Sequence, residues 1–355
     1  CPYCDFAVVV GRSQDHERYF EALLEEARAR AWDDRVSTVF VGGGTPTLID
    51  PSLFARSLRA LCGMFDVEPG AEITVEANPD SVSTDALKRL RDAGVNRLSI
   101  GAQSFDDDVL GSLGRTHTSA EVIAAVGAAR RAGLDNVSLD LIYGFEPLEV
   151  WRASLQTAID LDVEHVSCYA LTIEERTPFG KAVRSGRMRA PDDDALADKF
   201  ELASEMLTAS GFEHYEVSNW AKPGKRCAHN IGYWTQGDYL GLGVGAHSHR
   251  AGRRWWNTRA LPSYLADPAR AIAGEEQLDE RARAEEWLSL RLRLAEGFDV
   301  AEAEERLGAL CDMAALTSAG LGVVDGGMYR PTVQGMLLDN DVAGMILNAV
   351  PAPTA

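Results

Sequence analysis

Short apolar runs rich in β-branched residues alternate with helix-periodic segments through the first half of this chain, and few folds accommodate that rhythm. The runs are 36–41 (VSTVFV), 72–76 (EITVE), 97–101 (RLSIG), 137–142 (VSLDLI) and 165–171 (HVSCYAL). Between them Leu23, Leu24, Ala27 and Ala31 recur at helical spacing, as do Leu53, Ser57, Leu58 and Leu61. Segment 83–94 has Ser83 as its N-cap, Leu87 and Leu90 on one face, and Gly94 at its end. Strands that alternate with helices predict βαβ units and a parallel sheet, here with five countable strands. Their C-terminal ends carry Gly42-Gly43-Gly44-Thr45, Glu76, Gln103 and Asp140, and polar residues on that edge of a parallel barrel line its site.

After residue 173 the rhythm changes. A helix near 195–209 leads to 212–219, then to a Gly- and aromatic-rich stretch, 230–249. A helical segment at 282–295 opens a last region of short helices with a hairpin around Gly326-Gly327, which suggests a small winged-helix-like module. The expected division is a barrel at 1–210, an α+β extension at 211–280 and the module at 281–355. The module has 6 basic and 11 acidic residues, which favours packing or partner docking over DNA binding. The whole chain of 355 residues carries a net charge of −19, a poor match for a nucleic-acid backbone. No stretch approaches a membrane span of ~18 apolar residues, and no secretory signal opens the chain. Of the six cysteines only Cys1 and Cys4 are close together, so the expected compartment is a reducing cytoplasm.

Cys1-Pro2-Tyr3-Cys4 is a CxxC, open to three readings: a redox dithiol, half a zinc site, or part of an iron–sulfur site. No further soft ligand appears before Cys62, and the residues after Cys4 lack the pattern of a thioredoxin-like domain, so iron–sulfur ligation remains. The Gly42-Gly43-Gly44-Thr45-Pro46 turn brings backbone within reach of a ligand; its bland alternative is a tight strand-to-helix turn. It is neither a dinucleotide fingerprint nor a Walker loop, since GxGxxG is absent and no Lys succeeds it.

The ordered set CPYCDF, FVGGGTPT, EITVEANP, RLSIGAQSF, LGRTH and NVSLDLIYG resembles the radical S-adenosylmethionine enzymes of the oxygen-independent coproporphyrinogen III oxidase type. The resemblance runs from residue 1 to about 250. It implies a partial six-unit (β/α) barrel of the TIM type, with the first strand missing from this chain. It also implies a [4Fe–4S] cluster on a CxxxCxxC motif, whose second and third cysteines match Cys1 and Cys4. The open iron of such a cluster binds the amino-acid end of S-adenosylmethionine. By the same resemblance Tyr3 lies near adenine, and Gly43, Gly44 and Thr45 bind the methionine end. Glu76 holds the ribose, Gln103, Arg115 and Asp140 are further polar handles, and Ala170 gives adenine a backbone contact. Carboxylates, one guanidinium and exposed backbone are the groups a sulfonium nucleoside needs.

Two features separate branches of the family. The oxidases carry a fourth cysteine two residues after the third, where this chain has Phe6. The segment Cys227-Ala228-His229-Asn230-Ile231-Gly232-Tyr233-Trp234 resembles the HNxxYW stretch of the heme chaperone branch. That implies heme as a third bound group, His229 as its axial imidazole, and apo-heme proteins as recipients, membrane-bound heme enzymes included. The bland alternative is a buried His229 pinned by Asn230, with core aromatics around it. Cys227, Cys62, His165 and Cys168 read as core, and His247 and His249 as structural. The first rival activity is radical decarboxylation of coproporphyrinogen III, which Phe6 and the HNxxYW-like stretch disfavour; the second is a redox-sensing cluster protein. One departure stands out: Gly144-Phe145-Glu146-Pro147 is shorter than the family's Gly-Leu-Pro-Gly-like loop.

Overall fold

The computed structural model describes residues 2–9, 11–308 and 313–348; Cys1, Cys311 and the chain end from residue 349 lie outside the described residues. The first half is α1 (His16–Arg30), β1 (Arg35–Val41), α2 (Pro51–Cys62), β2 (Asp66–Ala77), α3 (Thr84–Asp92), β3 (Arg97–Gln103), α4 (Asp107–Ser112), α5 (Ser119–Ala132), β4 (Val137–Tyr143), α6 (Leu148–Asp160) and β5 (His165–Ala170). Then come α7 (Pro178–Arg184), α8 (Asp193–Ala209), β6 (Glu213–Glu216), β7 (Asn219–Ala221) and α9 (Ala228–Trp234). Next are β8 (His247–Arg250), β9 (Arg253–Asn257), α10 (Leu261–Ala266) and β10 (Ile272–Gln277). The chain finally forms α11 (Glu280–Arg291), β11 (Phe298–Asp299), α12 (Val300–Leu307), α13 (Met313–Ser318), β12 (Gly322–Asp325), β13 (Met328–Pro331), α14 (Val333–Leu337) and α15 (Asp339–Asn348).

One seven-stranded sheet, ordered β1-β2-β3-β4-β5-β7-β6, forms the half-barrel. β1 to β5 run parallel, and β7 and β6 close the far edge by antiparallel pairing. Alternate residues of the strands (Val75, Leu98, Ile100, Leu139, Leu141, Val166) pack on helix residues Phe54, Leu87, Leu90, Val126, Trp151 and Leu155. The period of two therefore turns Glu72, Thr74, Glu76, Ser99, Asp140 and Ser167 into the lumen. Local signals start the outer helices: Asp50 and Ser83 cap α2 and α3, and Thr118 with Glu121 forms a capping box on α5.

Two elements differ from expectation for long-range reasons. β2 starts at Asp66, because 66–67 pair with 35–36 before the register slips to Thr38↔Glu72, and Gly70 at φ +87° absorbs the irregularity. Helix α11 stops at Arg291 and does not reach 295, because Leu294 bridges to Glu216 and the Ala295 N–H donates to the Tyr215 carbonyl. The 212–219 stretch divides into β6 and β7, so the main sheet continues into the segment beyond residue 210.

The middle segment is clamped to α1 by Glu26, which is fully buried. Glu26 accepts from Asn257, the Gly243 amide and the Tyr264 hydroxyl, and pairs with Arg30. The last region is a three-stranded sheet, β11-β13-β12, with α12 to α15 around Trp287, Phe298, Leu316, Tyr329 and Ile346. Among the described residues no helix is long and apolar enough to cross a membrane.

Candidate functional site

The mouth of the half-barrel gathers nearly every residue expected there. Gly42, Gly43 and Gly44 come directly after β1, and the Gly43 amide donates to Glu76 Oε2 at 2.9 Å. Gly43 has φ +95°, and a Cβ on Gly42 would meet Glu76 Cδ at 2.5 Å. Burial pushes the Glu76 carboxyl up to about 7; the Gly43 N–H opposes the shift and the Asp140 charge adds to it. Thr45 closes the turn, its carbonyl accepting from the Leu48 amide. Gln103 ends β3 in left-handed backbone, φ 64°, a strained conformation that turns its amide toward the Arg115 side of the rim. Arg115 donates to Asn78 Oδ1 at 2.6 Å and hydrogen-bonds the Tyr3 hydroxyl.

The cysteine loop is docked on this rim. The Pro2 carbonyl accepts from the Phe179 amide, Tyr3 packs against the Phe179 ring at 6.3 Å, and Gly114 leaves room for Pro2. Cys4 is a free, half-buried thiol beside Tyr3. Cys1, its expected companion, falls outside the described residues. Ala170 is exposed at the end of β5, in register with Tyr143. Asp140 lies deeper, with both carboxylate oxygens accepting from Ser99 Oγ at 2.9 and 3.1 Å; burial raises its pKa while Ser167 and Ser99 oppose.

The altered loop after β4 is held from both sides. Glu146 accepts from the Gly144 amide, and the buried Lys199 ammonium donates to the Gly144 carbonyl at 2.9 Å. Beside it opens a cavity of about 350 Å³, lined by Val109, Leu113, Ile142, Phe145, Glu146 and Leu171 among others.

A second polar group sits toward the N-terminal ends of the same strands, around α9. Glu72 accepts from the Ala228 and His229 amides at 3.1 and 3.0 Å, so a β2 carboxylate closes the first turn of α9. His229 Nδ1 is 2.8 Å from Thr38 Oγ1, its Nε2 is 2.8 Å from the Tyr233 hydroxyl, and its ring stacks on Phe40. Burial lowers its pKa, with Glu72 opposing, so the ring is neutral at physiological pH. Thr38 and Tyr233, not Asn230, hold the ring. Cys227 is buried and its thiol is pushed up to about 12 by desolvation.

His165, read from sequence as apolar core, is buried within a hydrogen-bonded row instead. Its Nδ1 contacts Ser138 Oγ and its Nε2 contacts the Tyr215 hydroxyl, both at 2.8 Å, and that hydroxyl accepts from the Cys227 amide. Since Tyr215 receives the amide proton, it gives its own proton to Nε2, and Nδ1–H then points at Ser138. Arg97, only 2% exposed, donates to Asn136 Oδ1 and the Lys225 carbonyl beneath this row. His249 is structural in its bonding, tied to the Gly237 carbonyl and the Gly252 amide. The sequence reading missed Thr38, Glu72, Arg97 and Tyr215. A usable signal existed for Glu72, a carboxylate in strand phase with Glu76, and for Arg97, a charge opening a buried strand.

Residues 1–152 match the Radical SAM superfamily. The heme chaperone HemW of Lactococcus lactis is 37% identical over 309 residues, covering 86% of this chain and 81% of that protein. Heme chaperone HemW of Mycobacterium tuberculosis is 41% identical over 322 residues, with 87% and 81% covered. That of Bacillus subtilis is 34% identical over 366 residues, with 98% and 96% covered. Among solved structures, the radical SAM coproporphyrinogen III oxidase HemN of Escherichia coli superposes with a TM-score of 0.82 over 97% of this chain and 86% of that one; at 24% identity it shares the fold. With such identities sustained over most of both sequences, the chain belongs to the HemW heme chaperone family, on a radical SAM half-barrel.

Proposed function

We propose that this protein binds heme and delivers it to heme-requiring apoproteins in the cytoplasm, through a barrel mouth that holds S-adenosylmethionine and a [4Fe–4S] cluster. The observation that carries the proposal is the presence of two polar sets in one lumen, the mouth set and the set around His229: among the described residues no mouth side chain hydrogen-bonds His229, Thr38 or Tyr233, and the Phe40 ring lies between the glycine turn and the imidazole. The kinship with HemW supports heme as a ligand, and the HNxxYW-like stretch is the reason for assigning it to the second set. The mouth suits a cationic nucleoside by its donors and acceptors: an open glycine turn, the Glu76 and Asp140 carboxylates, and Arg115 near the cysteine loop. Cys1 and Cys4 would supply thiolates to the cluster, which when bound offers one-electron chemistry and an open iron. In this proposal Glu76 accepts from the ribose, Gln103 and Asp140 contact the same ligand, Tyr3 and Ala170 flank adenine, and Gly43, Gly44 and Thr45 meet the methionine end.

Glu76 makes the mouth pH-sensitive. Because burial raises its pKa, the carboxyl is mostly protonated below about pH 7 and ionised above it. Binding a sulfonium nucleoside favours the ionised form, so the bound state releases a proton. Affinity for S-adenosylmethionine should rise roughly tenfold per pH unit as pH approaches 7 from below, then level off. Calorimetric titration across that range checks this, and Glu76→Gln should bind weakly with a flat profile. A wild-type profile as flat as the variant's would refute the role.

The function is tested by titrating heme into the full-length, anaerobically reconstituted protein and its His229→Ala variant. The expected result is a Soret band that shifts or disappears in the variant while the cluster absorbance and circular dichroism stay unchanged. The protein should also leave coproporphyrinogen III unconverted. Formation of protoporphyrinogen IX in proportion to S-adenosylmethionine consumed would overturn the chaperone reading.

A further inference from the structure

We propose that α9 carries its own gate: the Tyr233 hydroxyl occupies the His229 nitrogen that heme iron would take, while Thr38 orients the imidazole so that this nitrogen keeps its lone pair. The inference rests on His229 being the heme ligand.

A neutral imidazole has one N–H and one lone pair, and the partner of one nitrogen decides what the other offers. Here both nitrogens are engaged, at 2.8 Å each, but by unlike partners. Thr38 stands on β1, where the strand pairs with β2 at Thr38↔Glu72, and its branched side chain has a stiff χ1. Glu72, across that pair, holds the His229 amide, so one rung of the sheet grips both the backbone and the ring. Phe40 lies flat against the ring, 5.0 Å between centroids and 16° between planes, which opposes rotation of the imidazole. Nδ1 therefore belongs to the fixed scaffold. If it donates to Thr38 Oγ1, it has the outer-sphere hydrogen bond that histidine ligands to metals commonly make.

Nε2 belongs to a partner on its own helix. Tyr233 lies one turn along the same helix, is half-buried, and meets Tyr239 edge-on at 4.7 Å. With Nδ1–H on Thr38, the Tyr233 O–H donates to the Nε2 lone pair, and an approaching iron competes for that electron pair. Among the described residues no other side chain hydrogen-bonds Nε2. Lifting the block means turning the Tyr233 side chain away from His229, which breaks this hydrogen bond and the edge-on ring contacts with His229 and Tyr239.

The two partners should therefore respond to mutation in opposite directions. Tyr233→Phe should bind heme roughly two- to tenfold more tightly, since one hydrogen bond no longer has to be broken. Its Soret position should match wild type. Thr38→Val should bind roughly ten- to a hundredfold more weakly, and Thr38→Ser should restore binding. Ring ¹⁵N shifts of His229 in the heme-free proteins supply a second readout. In wild type they should report a protonated Nδ1 and a hydrogen-bonded Nε2 lone pair, and in Tyr233→Phe an Nε2 lone pair without its bond. Unchanged or weaker heme binding by Tyr233→Phe overturns the gate, and unchanged binding by Thr38→Val overturns the orienting role. If His229→Ala keeps the wild-type Soret band, the ligand assignment itself is wrong and the gate falls with it. An altered band in that control, with no gain from Tyr233→Phe, overturns the gate alone.

Discussion

Gly42→Ala is expected to cost S-adenosylmethionine affinity on the order of 100-fold while the protein still folds. The added methyl group would meet Glu76 Cδ at 2.5 Å, Glu76 Oε2 at 2.6 Å and Phe40 Cε1 at 2.7 Å. These are side-chain atoms, so the strain can be relieved by displacement, at about 1–3 kcal/mol. The displaced group is the carboxylate that accepts from the Gly43 amide, and with it goes the geometry of the whole turn. Gly44→Ala is the comparison: a Cβ there meets no protein atom within 4 Å, so any loss it brings comes through the ligand or the backbone and not through Glu76. Calorimetry on both variants reads the difference. A loss at Gly42→Ala no larger than at Gly44→Ala would mean that the Glu76 contact is incidental.

Arg97→Ala is expected to be the most damaging single substitution in the lumen, at about 3–5 kcal/mol of folding stability. The guanidinium is buried and donates to Asn136 Oδ1 at 3.0 Å and to the Lys225 carbonyl at 3.2 Å, across 128 residues of chain in the second case. Truncation leaves both acceptors unpaired, opens a void, and removes the positive charge that steadies Asp140. Chemical denaturation reads the effect as a lower midpoint at unchanged slope. A loss under about 1 kcal/mol would show that water replaces the guanidinium without penalty.

The strands and the mouth were legible because their signals are local. A strand with one face on helices alternates visibly, and Glu76 and Gln103 stand out as polar groups at strand ends, whereas Asp140, read as a third, sits in the middle of β4. The α9 environment was legible only as a set of residue types. Thr38 is an ordinary strand threonine in the sequence, and its contact with His229 spans 191 residues. The same limit hid the early end of α11: nothing in 292–295 looks unhelical, and only the edge of β6 explains why the backbone turns away. His165 was placed in the core correctly and in the wrong company, because burial leaves a pattern in sequence and hydrogen-bond partners do not.

The carboxylate of Glu72 closes the first turn of a helix that lies 156 residues further along the chain. A seven-residue helix has little standing alone in water, where nucleation is costly and few hydrogen bonds repay it. During synthesis β2 waits for its distant client, and α9 can take shape only once the sheet that contains β1 and β2 has assembled. Thr38 is made 191 residues before His229 and Glu72 157 residues before it, so α9 docks on a scaffold that is synthesised first. On the proposed role of His229, heme would therefore meet an oriented imidazole only in a chain whose β1 and β2 already stand behind it.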